Sequence, residues 1–121
     1  MRKILVADDE KIVRDVIVRF LKLKNYDVIT AENGVELLEK VCADNFDLLI
    51  MDLRMPGLTG QEILEKIREN KKEIPVLILT GAIDADDSGV LKDLGFSNDE
   101  IINKPADLFE ILKKVEEKLG V

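Results

Sequence analysis

The sequence predicts an α/β fold in which five β-strands alternate with five α-helices. Five short apolar runs are each followed by a segment with helical hydrophobic spacing. Three of these runs are almost wholly apolar, which is typical of parallel strands covered on both faces. The regular order predicts one parallel sheet with helices on both sides. The predicted strands are Lys3–Ala7, Asp27–Thr30, Asp47–Met51, Pro75–Leu79 and Glu100–Ile102.

Apolar stripes and end signals define the helices. The first stripe predicts the buried face of the first helix, comprising Val13, Val16, Ile17, Phe20 and Leu21. Cys42 lies at helical spacing from Leu38, so we predict a small core side chain rather than a reactive thiol. Asn33 and Thr59 have a glutamate three residues later, which is the spacing of a capping box. Gly95 follows the fourth pattern, which includes Val90, Leu91 and Leu94, where a C-terminal cap is expected.

Composition limits the function classes. The chain has 121 residues, 46% of them hydrophobic, which suits one folded domain over residues 1–121 without an output domain. A net charge of -7 argues against nucleic acid and anionic membrane as direct ligands. One cysteine, no apolar run of membrane-spanning length and no signal peptide predict a cytoplasmic location. The absence of histidine excludes histidine-based catalysis.

The predicted strand order indicates where a ligand-binding site should lie. Five β–α units with right-handed crossovers suit the doubly wound order 2-1-3-4-5 of flavodoxin-like folds, in which strands 1 and 3 are neighbours. Ligands of such sheets bind beyond the carboxyl ends of the strands, at the switch point between strands 1 and 3. The polar residues at the relevant strand ends are Asp8-Asp9-Glu10, Asp52, Thr80-Gly81 and Asn103-Lys104-Pro105.

Three carboxylates are predicted to meet there. At about 4 Å each pair of like charges among Asp8, Asp9 and Asp52 costs roughly 4 kcal/mol at an effective dielectric near 20. Protonation of one carboxyl group or binding of a cation relieves that repulsion. Oxygen ligands favour a hard divalent ion such as Mg²⁺, and backbone carbonyls just past Asp52 offer a further ligand. Asp8 and Asp9 alone would also suit the N-cap and first turn of the first helix, but Asp52 favours the cation site. Acids at Asp84, Asp86 and Asp87 suit a helix N-terminus better than a metal site.

Lys104 and Thr80 each allow two interpretations. Lys104 is either a solvated lysine before a proline or an ammonium that reaches the acidic cluster and binds a phosphoryl group. Thr80 either bonds backbone at the end of a buried strand or donates to a phosphoryl oxygen. The Lys104–Pro105 bond is a candidate for the cis form, which only X-Pro bonds adopt readily.

Four motifs lie at the strand ends: ILVADDE at strand 1, LLIMDLRMPGLTG around Asp52, ILTG at strand 4 and NKP at strand 5. Together they resemble the receiver domain of two-component response regulators, including chemotaxis receivers. The resemblance covers essentially the whole chain, and the order and spacing of the motifs are very specific.

The resemblance implies roles for the site residues. It makes Asp52 the phosphoacceptor for phosphohistidine on a sensor histidine kinase or phosphotransfer protein. Asp9, Asp52 and the carbonyl of Arg54 would bind Mg²⁺ (or Mn²⁺), with Asp8 acting through water. Lys104 would pair with the phosphoryl group and Thr80 would bond to it after transfer. The domain would catalyse its own phosphorylation and slow autodephosphorylation, which is not the work of a classical enzyme.

The chain departs from the family at the output end. Phosphorylation would shift the face formed by helix 4, strand 5 and helix 5, which docks a downstream target. The switch position that is usually aromatic is Ile101, and Ala106 replaces a frequent phenylalanine. Residues 95–104 are also about two residues longer than usual. We therefore predict that Thr80 moves toward the phosphoryl group without a ring following it.

Two other functions compete with this hypothesis. A receiver-like scaffold that binds proteins independently of phosphorylation would keep the fold without the chemistry. A phosphohydrolase of the haloacid-dehalogenase type would need a second aspartate two residues after the first, where this chain has Arg54.

Overall fold

The computed structural model describes residues 1–53, 55–57, 59–70, 73–81, 91–93, 95–105 and 107–121. Strands and helices alternate along the chain, and a short 3-10 helix, Asn98–Glu100, precedes the last strand. Residues 91–93 are helical and are labelled α4. The other elements are β1 (Lys3–Ala7), α1 (Lys11–Leu23), β2 (Asp27–Ala31), α2 (Gly34–Ala43), β3 (Leu48–Asp52), α3 (Gly60–Glu69), β4 (Val76–Thr80), β5 (Ile101–Asn103) and α5 (Leu108–Leu119).

The sheet has the predicted architecture. Its five strands lie in the order β2-β1-β3-β4-β5, and each neighbouring pair is parallel. The last four strands end one residue later than predicted, because the residue after each predicted end still takes part in the pairing. Asp52 pairs with Leu79 and Thr80 pairs with Asn103. Asp52 and Thr80 therefore belong to the rigid sheet rather than to the loops that follow it.

Two apolar layers enclose the sheet. Alternate residues of a strand point to opposite faces, so β3 supplies Leu49 and Met51 to one layer and Leu48 and Ile50 to the other. The first layer contains the apolar faces of α2 and α3, and the second contains those of α1 and α5. All five residues of β3 are buried. Asp52 is therefore the last residue of a fully buried central strand.

The helix ends match the predicted signals. The backbone N–H of Glu36 donates to Asn33 Oδ1 at 2.8 Å, and that of Glu62 donates to Thr59 Oγ1 at 3.1 Å. Gly95 has φ of +91°, and its N–H donates to the carbonyl of Lys92. Such a left-handed residue suits the C-terminal end of a helix. The sequence therefore predicted these two helix starts and one helix end correctly.

Two predicted core residues, Val16 and Cys42, are exposed instead. The helix α1 turns Arg14, Ile17 and Leu21 inward and leaves Val16 46% exposed. In α2 the inward face carries Gly34, Leu37 and Val41, so Cys42 lies about 100° past Val41 and faces outward. Both errors have one cause, since an apolar stripe fixes the rotation of a short helix only to within about one residue.

Several sequence predictions lie outside the described residues. They concern the carbonyl of Arg54, the side chain of Ala106, two residues of the fourth helical pattern, Val90 and Leu94, and the acids Asp84, Asp86 and Asp87. Within the part of the chain that the structure describes, the helices are all too short or too polar to cross a bilayer.

Candidate functional site

The carboxyl ends of four neighbouring strands bring the predicted site residues to one edge of the sheet. Asp52 and Thr80 are the last residues of β3 and β4. Asp8 directly follows β1, and Lys104 directly follows β5. The backbone continues the sheet pattern there, because Asp8 N donates to the carbonyl of Ala31 and Lys104 N donates to that of Thr80. Each functional side chain thus leaves from a fixed backbone position.

Lys104 occupies the centre of this site. Its Nζ lies 2.8 Å from Asp52 Oδ2, 2.9 Å from Asp8 Oδ2 and 3.1 Å from Glu10 Oε1. The side chain of Lys104 is only 12% exposed. The solvated-lysine interpretation is therefore wrong, and Lys104 is the ammonium of the acidic cluster.

The acidic cluster keeps Lys104 protonated. Burial by itself would lower the pKa of the ammonium, because the charged form loses hydration. Attraction to the carboxylates of Asp52, Asp8 and Glu10 outweighs burial, and the pKa of Lys104 rises above its usual value. The site consequently offers a permanent positive charge directly beside Asp52.

The carboxyl group of Asp8 lies in a buried environment that disfavours its charged form. Asp8 is fully buried, and burial raises the pKa of its carboxyl group, although Lys104 and the N–H of Glu10 partly counteract this. The Oδ1 atom accepts a hydrogen bond from Glu10 N at 2.9 Å. The buried Oδ2 lies close to Lys104 Nζ as an ion pair, but it receives no well-directed hydrogen bond. Asp8 therefore retains capacity for a further positively charged or hydrogen-bonding partner.

Four carboxyl groups form one cluster. Asp8, Asp9, Glu10 and Asp52 each place an oxygen within 4.8 Å of the others. Helix α1 begins only at Lys11 with Glu10 as its N-cap, and its first turn carries no acid. The alternative in which Asp8 and Asp9 serve as first-turn acids of this helix is therefore wrong. Asp9 instead projects as an exposed member of the cluster.

The cluster fits a hard divalent cation. Four carboxyl groups face a single ammonium, so negative charge exceeds positive charge whenever all four are ionised. The buried Oδ2 of Asp8 also lacks a directed hydrogen bond. Carboxylate oxygens at this spacing are the ligands that Mg²⁺ accepts, with water completing its shell.

Arg14 is a site residue that the sequence analysis missed. It is buried, and its Nη1 donates to the backbone carbonyl of Asp8 at 2.7 Å. Its Nη2 lies 3.5 Å from Glu32 Oε1, at the end of β2. Arg14 thus holds the backbone from which Asp8 extends. The only available signal was an arginine within the apolar stripe of α1, which by itself does not indicate a site.

The loop after Asp52 is held by close backbone contacts. Leu53 N donates to the carbonyl of Leu79 at 3.0 Å, and Gly34 N donates to that of Pro56 at 3.3 Å. A Cβ at Gly60 would lie 2.7 Å from Leu53 Cδ1 and 2.9 Å from Leu53 O. Only glycine therefore lets the start of α3 approach the residue that follows Asp52.

The predicted switch residues share one face of the sheet. Thr80 is buried, and β4 pairs in register with β5 so that Ile78 faces Ile101 and Thr80 faces Asn103. Ile101 is half-buried and packs against the apolar layer that contains Ile78. It also borders a cleft of about 500 Å³ together with Leu91, Phe96 and Asn103. Thr80 and Ile101 thus lie on the same face of two adjacent strands.

Comparison with known proteins identifies the family to which the chain belongs. Residues 4–116 match the model of the response regulator receiver domain. The chain is 36% identical over 114 residues to the transcriptional regulatory protein ResD of Bacillus subtilis, covering 94% of this chain and 46% of ResD. It is 34% identical over 119 residues to the response regulator ArlR of Staphylococcus saprophyticus, covering 98% and 53%.

The chain also superposes on solved structures of response regulators. A CheY-like receiver domain protein from Methanospirillum hungatei superposes with a TM-score of 0.90 at 28% identity, covering 99% of this chain and 94% of that one. The response regulator TrrA of Thermotoga maritima, solved in complex with Mg²⁺ and BeF, has a TM-score of 0.84 at 35% identity, covering 98% and 100%.

The α/β fold and its acidic strand-end site define a module of two-component signalling. The chain belongs to the response regulator receiver domain family. It spans about half the length of the curated relatives it matches.

Proposed function

We propose that this chain is a phosphorylation-switched module in which Asp52 accepts a phosphoryl group from a sensor histidine kinase or a phosphotransfer protein. The observation that carries the proposal is the 2.8 Å contact between Lys104 Nζ and Asp52 Oδ2 inside a cluster of four carboxyl groups. A carboxylate so close to a permanent cation can approach a phosphoryl donor without prohibitive repulsion.

In the proposed transfer Asp52 forms a covalent bond, whereas Lys104 and Thr80 act through charge and hydrogen bonding. An ionised Asp52 oxygen attacks the phosphorus of the donor phosphohistidine, forming an O–P bond while the N–P bond breaks and the imidazole leaves. Lys104 offsets the charge of the transferring group, and the Thr80 hydroxyl donates to it afterwards. Asp9, Asp52 and the Arg54 carbonyl would hold Mg²⁺, with Asp8 acting through water. The ion, when bound, supplies further charge neutralisation.

The phosphorylated state would be transmitted through the face formed by α4, β5 and α5. Thr80 ends β4 and pairs with Asn103 of β5, so a displacement of Thr80 acts directly on the edge strand. A shift in the equilibrium between two arrangements of this face would change its affinity for a downstream protein. Slow hydrolysis of the aspartyl phosphate would reset the module.

Phosphorylation by a small donor tests this function. The protein is incubated with Mg²⁺ and acetyl phosphate, and intact mass spectrometry detects an acid-stable, base-labile phosphoryl adduct. Asp52→Asn should abolish the adduct. Asp47→Asn is the matched control, because Asp47 lies just before the opposite end of the same strand and accepts a hydrogen bond from Lys3 N.

Two results would contradict the proposal. An adduct that survives in Asp52→Asn would place the acceptor elsewhere. A wild-type protein that forms no adduct, either with acetyl phosphate or with phosphorylated histidine kinases, would favour the scaffold that binds proteins independently of phosphorylation.

A further inference from the structure

Glu10 is a member of the carboxyl cluster whose identity helix formation does not explain. It is the N-cap of α1, but its side chain makes no capping hydrogen bond. Ser, Thr, Asp and Asn are the residues preferred at that position. The Glu10 side chain instead reaches Lys104, 94 residues away in sequence, with Oε1 3.1 Å from Nζ. This contact indicates a role in the site rather than in the helix.

The surroundings of Lys104 leave little room for another anion. Three carboxylate oxygens crowd Nζ within 3.1 Å: those of Asp52 and Glu10 accept hydrogen bonds from it, and that of Asp8 is its ion-pair partner. An incoming phosphoryl oxygen that binds Nζ therefore has to displace one of the three. Asp8 is fully buried and would be left without its counter-ion, while Asp52 is the proposed acceptor itself. The side chain of Glu10 is 61% exposed, so water can solvate its carboxylate after release.

We propose that Glu10 is a releasable competitor for Lys104 that slows phosphorylation of Asp52. This inference rests on the proposed function and adds a residue that sets its rate. In the unphosphorylated protein Glu10 accepts one of the hydrogen bonds that Lys104 donates. The phosphoryl group reaches full contact with Lys104 only after Glu10 has turned away to solvent.

Two variants of Glu10 separate contact from charge. Glu10→Gln keeps the length of the side chain but removes its charge. Glu10→Asp keeps the charge but shortens the side chain by one C–C bond of about 1.5 Å, which takes the carboxylate out of reach of Nζ. Aspartate is also a favourable N-cap, so this variant does not endanger α1. Asp15→Asn is the matched control, because it removes a charge from an exposed position one turn further along α1.

The rate readout is the second-order rate constant for adduct formation with acetyl phosphate, measured at a Mg²⁺ concentration that saturates each variant. Release of an exposed ion pair should raise this constant roughly two- to fivefold in both Glu10→Gln and Glu10→Asp. Asp15→Asn should match the wild type. A rise in Glu10→Gln alone would assign the effect to general repulsion of the donor and overturn the contact. Equal constants in all four proteins would also overturn it.

A second readout needs neither metal nor phosphoryl donor. In ¹⁵N-labelled, metal-free protein, the Lys104 ammonium should exchange its protons with water faster in both Glu10 variants than in the wild type or Asp15→Asn. Unchanged exchange would show that Glu10 does not hold Lys104. A Mg²⁺ affinity more than tenfold weaker in Glu10→Gln would instead make Glu10 a metal ligand. Failure of the proposed function is distinct, since then no protein, wild type included, forms an adduct.

Discussion

Lys104 Nζ lies 2.8 Å from Asp52 Oδ2, although the two residues leave the sheet from β5 and β3 with β4 between them. The backbone of Lys104 is fixed to β4 by its N–H bond to Thr80 O at 2.8 Å. The side chain therefore crosses the end of β4 to reach the acidic cluster. One ion pair consequently links the proposed acceptor strand to the proposed output strand.

Removal of the Lys104 charge should weaken the metal-free fold and strengthen metal binding. In Lys104→Gln the carboxylates of Asp8 and Asp52 lose the cation beside them, and loss of one partner of a buried pair costs about 3 kcal/mol of unfolding free energy. The same change frees the cluster for a divalent ion, so Mg²⁺ should bind at least about tenfold more tightly, or 1.4 kcal/mol. Urea unfolding and calorimetric Mg²⁺ titration measure the two effects.

The matched control for that change is Lys113→Gln, an exposed lysine on α5 outside the cluster. Lys113→Gln should change neither the free energy of unfolding nor that of Mg²⁺ binding by more than about 0.5 kcal/mol. Unchanged Mg²⁺ affinity in Lys104→Gln would contradict the electrostatic account of the site.

Asp8→Asn should stabilise the metal-free protein, whereas Lys104→Gln should destabilise it. Asp8 is fully buried, and desolvation of its carboxylate dominates its electrostatics despite the ion pair with Lys104. A neutral side chain of equal shape avoids that cost, so we expect a gain on the order of 1 kcal/mol at neutral pH. Thermal unfolding without Mg²⁺ measures the gain. With saturating Mg²⁺ the wild type should be more stable than Asp8→Asn, because ion binding stabilises the wild type more strongly.

Gly60→Ala should destabilise the loop that follows Asp52. The added Cβ would lie 2.7 Å from Leu53 Cδ1 and 2.9 Å from Leu53 O, and the backbone oxygen cannot move aside as a flexible side chain can. Overpacking of this kind costs about 1–3 kcal/mol. Chemical unfolding measures the loss, with Gly81→Ala as control, since a Cβ there meets only Lys104 Cδ at 4.0 Å. Equal stabilities of the two variants would contradict the packing argument.

The site residues that the sequence predicted share one property. Asp8, Asp52, Thr80 and Lys104 all stand at the ends of apolar strands, and the parallel strand order alone brings strand ends together. Their placement therefore did not require knowledge of any helix. The errors in four predicted strand ends did not misplace the site, because each error was one residue long.

The residues that the sequence missed depend on helix rotation. Arg14 lies in the first turn of α1, and only the orientation of that helix decides that its side chain faces the site. Glu10 was named as a strand-end residue, but its contact with Lys104 was not predicted. The same uncertainty produced the wrong burial of Val16 and Cys42. A periodic pattern defines a helical face about 100° wide, so residues at its edges cannot be assigned from sequence.

Glu100, in the 3-10 helix that precedes β5, should contribute pH-dependent stability. Burial alone would raise the pKa of Glu100, but Lys118, at 2.6 Å, and the N–H of Ser97 outweigh it and lower the pKa below 4.5. A lowered carboxyl pKa stabilises the fold above about pH 4.5, and this contribution is lost as the pH falls through the folded-state value. Glu100→Gln should therefore cost about 0.5–1 kcal/mol at pH 7.

That cost should shrink between pH 7 and pH 3, as the carboxyl group of the wild type becomes protonated in its turn. Urea unfolding at both values measures it, and Glu117→Gln, an exposed change on the same α5 helix, is the control. A cost that is independent of pH would assign the effect to packing rather than to charge.

Thr80 should move toward the phosphoryl group although Ile101 offers no ring to follow it. Thr80 and Ile101 lie on one face of adjacent strands, and Ile101 already packs against the apolar layer. We therefore expect crystal structures with and without beryllofluoride to differ in the Thr80 rotamer, while Ile101 keeps its place beside the cleft. An identical Thr80 in both structures would contradict the prediction.

Thr80→Val tests whether that movement carries the signal. The change keeps the shape of the side chain and removes its hydroxyl, so the adduct at Asp52 should still form. Amide chemical shifts of β5 and α5 should then respond to beryllofluoride in the wild type and in the control Thr30→Val, but much less in Thr80→Val. A full response in Thr80→Val would mean that the face formed by α4, β5 and α5 is coupled to Asp52 through Lys104, whose side chain already links the two strands.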